Sequence, residues 1–153
     1  MNNNNKMLEA ALTYAGIGWA VFPLKQGGKT PITSHGCKDA STDTQIITRW
    51  WQQNPDANLG LATGFDSVVV LDVDVKGNKN GKRSLAKLME EHDDLPTLVV
   101  QTPTGGLHLY FWPQPDHIYK NSVDFRDGLD FRCDGGYVVA PPSQIGGVYY
   151  EWV

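Results

Sequence analysis

The chain has 153 residues, of which 41% are hydrophobic and 20% are charged. This length fits one domain, and the composition is that of a globular protein, which excludes wholesale disorder. The formal net charge of −4 at pH 7 argues against a protein that coats nucleic acid through a strongly basic surface.

Helical spacing and turn residues predict an α/β arrangement in the first half of the chain. The predicted elements are a helix over 7–15, a strand over 19–24, a loop over 25–40, a second helix ending near 54 and a strand over 58–63. Thr42 and Gln45 have the spacing of a capping box and predict the start of the second helix. Its apolar side is predicted to comprise Ile46, Ile47, Trp50 and Trp51.

Strands outnumber helices in the second half. We expect a buried strand over 67–75, a helix over 82–93 with Leu85, Leu88 and Met89 inward, and strands over 97–102, 106–112, 129–133, 137–141 and 148–152. The mixture of helices with mainly sequential strands predicts an α+β fold.

The ends of the chain and its cysteines bear on location. Residues 1–6 have no apolar segment typical of a signal peptide, and no apolar run reaches the roughly 20 residues of a membrane span. Cys37 and Cys133 form no closely spaced pair. We therefore expect a cytoplasmic protein without disulfides. Because the last residues, 148–153, form an apolar segment typical of a strand, we also expect a domain excised from a longer protein.

Two aspartates interrupt the apolar segment over 68–75. Asp72 and Asp74 share one face of a regular strand, about 6–7 Å apart, and such carboxylates repel unless a cation lies between them. Mg²⁺ and Mn²⁺ prefer carboxylate oxygens, so a divalent ion fits this pair. The alternative is two solvated aspartates at the end of a strand.

A glycine-rich turn leads into a strand that carries a histidine. Gly105 and Gly106 precede His108, and glycines let backbone N–H groups approach a phosphate closely. The imidazole can donate a hydrogen bond to a phosphate oxygen. The alternative is a core histidine whose hydrogen bonds are satisfied within the protein.

A third strand presents Asp130 and Arg132 on one face. A single Asp–Arg pair is usually a structural salt bridge. Three strands with polar groups on one face favour a second interpretation, in which carboxylates hold two metal ions and His108 and Arg132 contact a triphosphate.

Basic residues are unevenly distributed along the chain. Five of them lie between 76 and 87, in a stretch from 75 to 89 without Asp or Glu. Lys79, Lys82 and Arg83 in this stretch are candidates for weak contacts with DNA phosphates, and the alternative is a solvated loop and helix face. Lys29, in a glycine-rich loop, is a candidate for contact with a phosphate or a nucleic acid, or else an ordinary surface lysine.

Together these motifs resemble the archaeo-eukaryotic primase superfamily, and more closely its bifunctional DNA primase/polymerase (prim-pol) N-terminal domain, found in plasmid and phage replication proteins. The segments that carry the resemblance are 71–74, 104–108 and 128–130, with further similarity over 18–24, 29–31, 50–51, 58–64 and 135–143. The similarity covers nearly the whole chain, and the order and spacing of the motifs make it specific.

The resemblance implies one catalytic domain over 1–153, with lobes at about 1–65 and 66–153. It implies an RNA-recognition-motif-like palm sheet packed with an N-terminal α/β lobe, and an active site in the cleft between them. It also implies that Asp72, Asp74 and Asp130 bind two ions, Mg²⁺ or Mn²⁺. No zinc site is expected, because the chain has no cysteine cluster.

The implied activity is template-directed transfer of nucleotides from NTPs or dNTPs onto a primer on single-stranded DNA. His108 would bind the incoming triphosphate, with help from Arg132, Lys29 and the turn at Gly105 and Gly106. The preference between NTP and dNTP stays open, with Tyr137 as either a sugar contact or a buried strand tyrosine. Relatives often continue into a helical accessory domain and a helicase, which are the expected partners in the same polypeptide.

Three other functions use similar residues. A metal-dependent nuclease or phosphoesterase needs the same carboxylates and histidine. A glycosyltransferase with an Asp-x-Asp motif binds a sugar nucleotide through a metal, but usually has a longer chain. A non-catalytic module would bind nucleotide or DNA without incorporation.

Overall fold

The computed structural model describes residues 5–93 and 97–153, which form three α-helices, a six-stranded sheet, a three-stranded sheet and a two-stranded ribbon. The helices are α1 (Lys6–Gly16), α2 (Thr44–Gln53) and α3 (Gly81–His92). The strands are β1 (Val21–Leu24), β2 (Asn58–Thr63), β3 (Val69–Val73), β4 (Leu98–Gln101), β5 (Leu107–Phe111), β6 (Ser122–Arg126), β7 (Leu129–Arg132), β8 (Gly136–Ala140), β9 (Gln144–Ile145), β10 (Val148–Tyr149) and β11 (Glu151–Trp152). This mixture of helices and antiparallel sheets is an α+β fold.

The second helix begins later than the capping-box pattern predicts. The side chain of Asp43 accepts hydrogen bonds from the N–H groups of Gln45, at 2.8 Å, and Ile46, at 3.2 Å. The prediction of a cap at Thr42 is therefore wrong, because a carboxylate one residue further on satisfies two free N–H groups and complements the positive end of the helix. Of the predicted apolar face, Ile47 and Trp51 are fully buried, whereas Ile46 is 38% exposed.

The three-stranded sheet has the order β1-β2-β8 and is antiparallel throughout. Strand β8 pairs with β2 along its whole length, from Leu59 opposite Ala140 to Thr63 opposite Gly136. The strand predicted over 137–141 is therefore present, but it lies in the sheet that contains the N-terminal strands. The second half of the chain contributes to both sheets.

The six-stranded sheet has the order β11-β4-β5-β3-β7-β6, with all neighbours antiparallel. Helix α3 joins β3 to β4, which are separated in the sheet by β5, so the segment is a split β-α-β unit. The edge strand β6 was not predicted. The single strand predicted over 148–152 is wrong, because β10 pairs with β9 whereas β11 pairs with β4.

Alternating residues of β3 face two hydrophobic clusters, one on each side of the large sheet. Val70 belongs to the cluster that includes α1, α2 and the three-stranded sheet, together with Tyr110 and Trp19. Leu71 and Val73 belong to the other cluster, which α3 covers through Leu85, Leu88 and Met89, as predicted. No helix of the described residues is long and apolar enough to cross a membrane.

Candidate functional site

Three polar side chains lie in one row across the large sheet. In the antiparallel register, Asp72 of β3 is opposite His108 of β5 on one side and Asp130 of β7 on the other. Neighbouring strands are separated by about 4.8 Å, so side chains that share this face are within reach of each other. The same face packs against the N-terminal cluster at Val70 and Tyr110, two residues further along.

Asp72 is half-buried and flanked by a histidine and an arginine. His108 Nε2 lies 3.5 Å from Asp72 Oδ1, and Arg132 Nη2 lies 3.9 Å from Asp72 Oδ2. Burial raises the pKa of the Asp72 carboxyl, but interactions with His108, Arg132 and Lys29 outweigh it and lower the pKa below its ordinary value. The carboxylate is therefore held ionised in a site that is partly removed from water.

His108 is buried, with only 6% of its surface exposed. Its Nδ1 has no hydrogen-bond partner among the described residues, while Nε2 points at Asp72. These contacts favour the tautomer with the proton on Nε2, because that proton then points at a carboxylate.

Asp130 has one oxygen fixed by the backbone and the other by a guanidinium. The N–H of Asp124 donates to Asp130 Oδ1 at 2.8 Å, and Arg132 Nη2 donates to Asp130 Oδ2 at 3.0 Å. Asp130 and Arg132 thus share a face, as the sequence predicts, and their salt bridge adjoins Asp72.

Asp74 lies beyond the end of β3, which stops at Val73. Its backbone is held by Gly128 and Gly81, since the Asp74 N–H donates to the Gly128 carbonyl at 2.7 Å and the Gly81 N–H donates to the Asp74 carbonyl at 2.9 Å. A Cβ atom on either glycine would lie 2.6 Å from the Asp74 carbonyl oxygen. The predicted strand to residue 75 is therefore wrong, because these close backbone contacts take the chain out of the sheet.

The Asp74 carboxylate interacts with the segment that follows it in the chain. Its Oδ1 accepts a hydrogen bond from the Lys76 N–H at 2.9 Å, and its Oδ2 lies 3.9 Å from Lys79 Nζ. Lys79 Nζ also lies 3.2 Å from Asp124 Oδ2. The ammonium of this predicted DNA contact is thus already paired with two carboxylates.

Two adjoining cavities, of about 340 and 270 Å³, open over the polar row. The residues that line both are Lys29, Asp72, His108, Arg132 and Tyr150. The first is also lined by residues 135–139, which include Tyr137. The second contains Asp74, Asp130, Lys76 and the turn residues 102–104. The structure therefore brings six predicted residues together: Lys29, Asp72, Asp74, His108, Asp130 and Arg132.

Other predicted residues line neither cavity. Lys79, Lys82 and Arg83 lie outside, with Lys82 and Arg83 exposed in the first turn of α3. Gly105 and Gly106 form the turn before β5, where the Gly105 N–H donates to the Thr102 carbonyl at 2.9 Å. That N–H is thus engaged within the turn.

Lys29 is exposed, but its backbone is fixed. The Tyr137 hydroxyl donates to the Lys29 carbonyl at 2.8 Å, which connects β8 to the loop after β1. Partial burial and then the neighbouring Lys76 ammonium lower the pKa of Lys29, against the opposite effect of Asp72 and Asp74. The ammonium groups of Lys29 and Lys76 line the same cavity as Asp72 and Asp74. This combination of charges suits an anion that is bound together with a metal ion.

Sequence reasoning did not identify Tyr150 or Lys76 as site residues. Tyr150 is 4% exposed, and its ring centroid lies 6.0 Å from that of His108 at an interplanar angle of 34°. Burial, followed by the charge of Asp72, raises the pKa of Tyr150 to about 12. The segment 149–152 has aromatic residues at both even and odd positions, so its pattern does not show which one points inward.

The acidic residues of the polar row fit a divalent ion in part. Among residues 5–93 and 97–153, no group of three or more His, Cys, Asp or Glu side chains is close enough together to hold a metal. Asp72 and Asp130 nevertheless both point one carboxylate oxygen at the same cationic nitrogen of Arg132. Mg²⁺ is usually held by one or two carboxylates together with substrate phosphates, so this donor set fits such an ion.

A larger cavity of about 580 Å³ lies away from these residues, between the start of α1 and the Pro142–Gln144 segment. The buried polar side chain there is Asn58, which donates to the carbonyls of Gly28 and Gln144 and accepts from the Gln144 N–H. Because these contacts already satisfy the hydrogen bonds of the Asn58 amide, the cavities over the polar row are the stronger candidate site.

The geometry defines a class of site in which carboxylates, a histidine and basic side chains from neighbouring strands converge at a pair of cavities. A family model described as bifunctional DNA primase/polymerase, N-terminal, matches residues 11–153, and the chain therefore belongs to this family. No curated protein matches the chain significantly.

Proposed function

We propose that this domain catalyses template-directed nucleotidyl transfer from NTPs or dNTPs to make or extend primers in plasmid or phage replication. Family membership supports primase or polymerase function. The observation that carries the proposal is the convergence of Asp72 and Asp130 on one cationic nitrogen, beside His108 and Lys29. Carboxylates for a metal ion and cations for phosphates are the components that phosphoryl-transfer sites require.

We further propose an RNA-recognition-motif-like palm formed by part of the large sheet. The support is the order β7-β3-β5-β4 with α3 between β3 and β4. The active site would lie in a cleft where this sheet meets the N-terminal lobe. This is supported by cavity walls that combine Lys29, β8 and the polar row.

The residues of the polar row have separate roles in this proposal. Asp72 and Asp130, with Asp74, would hold Mg²⁺ or Mn²⁺, which supplies activation of a primer 3′-hydroxyl and charge stabilisation on the phosphates. The His108 imidazole would contact the triphosphate beside Asp72, and Lys29, with Lys76, would stabilise the negative charge of the triphosphate. Burial of Asp72 and His108 limits competing water around the reacting phosphate.

The substrates would be single-stranded DNA, a primer and NTPs or dNTPs. A helicase or helical accessory domain in the same polypeptide would supply unwound template, and a cytoplasmic location follows from this role. The domain itself has a modest net charge of −4. It would thus hold DNA weakly, because affinity for DNA depends mainly on contacts with phosphates.

A primer-extension assay tests the function. Labelled primed DNA is incubated with Mn²⁺ and either NTPs or dNTPs, using the wild type, Asp72→Asn and Asp130→Asn. The control is Asp116→Asn, an exposed aspartate that forms an ion pair with its neighbour His117, outside both cavities. We expect extension by the wild type and control and none by the two site variants. Shortened strands would show a nuclease, and nucleotide binding without extension would show a binding module.

A further inference from the structure

The guanidinium of Arg132 bridges the two carboxylates of the polar row. Its Nη2 lies 3.0 Å from Asp130 Oδ2 and 3.9 Å from Asp72 Oδ2. The second oxygen of each carboxylate is engaged elsewhere, by the Asp124 N–H at 2.8 Å and by His108 Nε2 at 3.5 Å. One oxygen on each of the two strands is therefore directed at a single cationic position.

Arg132 is also placed to contact a nucleotide. It lines both cavities, and its side chain is 37% exposed, compared with 15% for Asp130 and 24% for Asp72. Because the arginine side chain is long and only half-buried here, a turn from the carboxylates to a phosphate in the same cavities would require no change in the fold. A planar guanidinium binds carboxylates and phosphates with the same donor geometry.

We propose that Arg132 competes with a divalent ion for Asp72 and Asp130, and binds the triphosphate when the ion displaces it. This inference rests on the proposed function. The guanidinium and the ion would be directed at the same two carboxylate oxygens, and their positive charges repel each other, so each weakens the binding of the other. Because the ion frees the guanidinium for phosphate, metal and nucleotide each increase the affinity for the other. Arg132 is thus a coupling residue between the two ligands.

Mn²⁺ affinity in the absence of nucleotide tests the competition, measured by the electron paramagnetic resonance signal of free Mn²⁺. We expect Arg132→Gln to bind Mn²⁺ about fivefold or more tightly than the wild type, the range of a moderate coupling energy. Arg132→Lys keeps the positive charge and should stay close to the wild type. The control is Arg126→Gln, since Arg126 pairs with Glu91 on the surface. Circular dichroism and thermal unfolding verify that each variant is folded.

Nucleotide affinity provides the second measurement, with a non-hydrolysable dNTP analogue titrated at saturating Mn²⁺. Arg132→Gln should weaken this binding while it tightens Mn²⁺ binding, whereas a merely structural role would move both affinities in the same direction. Equal or weaker Mn²⁺ binding by Arg132→Gln overturns the inference. Asp72→Asn separates a failure of the proposed function from a failure of the inference about Arg132. Unchanged Mn²⁺ affinity in this variant would overturn the assignment of Asp72 as a metal ligand.

Discussion

Asp72 and His108 lie directly opposite each other on β3 and β5, with His108 Nε2 3.5 Å from Asp72 Oδ1. The neighbouring pair on the same face, Val70 and Tyr110, is buried in the hydrophobic core. The same face of the sheet thus changes from hydrophobic core to polar cavity wall over two residues of each strand. This change places the imidazole in a dry environment while its carboxylate partner remains accessible from the cavities.

His108→Ala should chiefly weaken nucleotide binding. Loss of a hydrogen bond to a charged group costs about 1.5–3 kcal/mol, so KM for the nucleotide should rise about tenfold or more, with a smaller effect on kcat. Steady-state primer extension at saturating template measures both constants. Unchanged apparent affinity for the triphosphate would contradict the assignment, and wild-type thermal stability of the variant serves as the control for folding.

The two glycines before His108 should differ sharply in their tolerance of alanine. A Cβ atom on Gly106 would collide with the Val73 carbonyl oxygen and lie 3.1 Å from Thr102 Oγ1. Gly106→Ala should therefore destabilise the protein by about 3 kcal/mol or more, as overpacking forces β5 away from β3. Gly105 has a φ of +87° and only Val75 Cγ2 nearby, at 4.0 Å, so Gly105→Ala should cost about 1–2 kcal/mol of strain.

Denaturant unfolding of both variants measures this difference. A larger loss of stability for Gly105→Ala than for Gly106→Ala would show that conformational strain, rather than the close approach of strands, determines the turn. Gly146→Ala offers a matched control, since Gly146 has a φ of +58° and nothing within 4 Å of the added Cβ atom.

Much of the fold could be predicted because strands with one buried face have a recognisable period. The run over 67–75 and the alternation around His108 and Asp130 gave the three central strands of the large sheet and the shared face of their polar residues. Strand β6 lacks this pattern: Val123 is 71% exposed, Asp124 has a positive φ of 46° and the pairing with β7 is irregular. An edge strand of this kind is stabilised by its neighbour rather than by its own sequence.

The composition of the site was predicted better than its contacts. Alternation along a strand shows which residues share a face, but sheet order decides which strands are neighbours. The sequence therefore could not show that Tyr150 packs on His108, or that Lys79 pairs with Asp124 of an unpredicted strand. It also could not show that Asp74 leaves the strand, because this depends on close contacts with Gly81 and the distant Gly128.

Tyr137→Phe should affect nucleotide use through Lys29. The substitution removes the hydroxyl that donates to the Lys29 carbonyl at 2.8 Å, while the edge-on contact of the ring with Phe22 is retained. A neutral hydrogen bond contributes about 0.5–1.5 kcal/mol, so we expect KM for the nucleotide to rise roughly 2- to 10-fold with little change in kcat. Tyr149→Phe is the control, because Tyr149 is 51% exposed and lies outside both cavities. Equal effects of the two substitutions would contradict a specific role for the Lys29 loop.

Buried tyrosines should make the protein sensitive to alkaline pH. Burial raises the pKa of Tyr14 and Tyr150 from 10.0 to about 12, and it also raises the pKa of Tyr110 well above its ordinary value. A group whose pKa is higher in the folded state stabilises the fold below its unfolded pKa, and this contribution is lost as pH rises through the folded pKa. Stability should therefore fall between pH 10 and about 12.

Denaturant unfolding at a series of pH values measures the alkaline loss, and phenolate absorbance reports which tyrosines have ionised. Tyr14→Phe removes one of the three groups together with its hydrogen bond to the Pro141 carbonyl at 2.7 Å. This variant should be about 1 kcal/mol less stable near neutral pH but lose less stability toward pH 12. If the variant and the wild type have the same pH dependence, burial does not raise the pKa of Tyr14.

The start of α3 should contribute weak contacts with DNA. Lys82 and Arg83 are exposed in its first turn, which contains no acidic residue, and the positive end of the helix dipole adds to their charge. Lys79 is less suitable for this test, because its ammonium is bound by Asp124.

The variant with Lys82→Glu and Arg83→Glu should bind single-stranded DNA less tightly, with the slope of log K against log salt reduced by about 0.7 per lost phosphate contact. Lys38→Glu reverses one charge instead of two, at an exposed residue of the 3-10 helix Gly36–Asp39. If this variant loses about half as much affinity as the double variant, net charge rather than the start of α3 determines DNA binding.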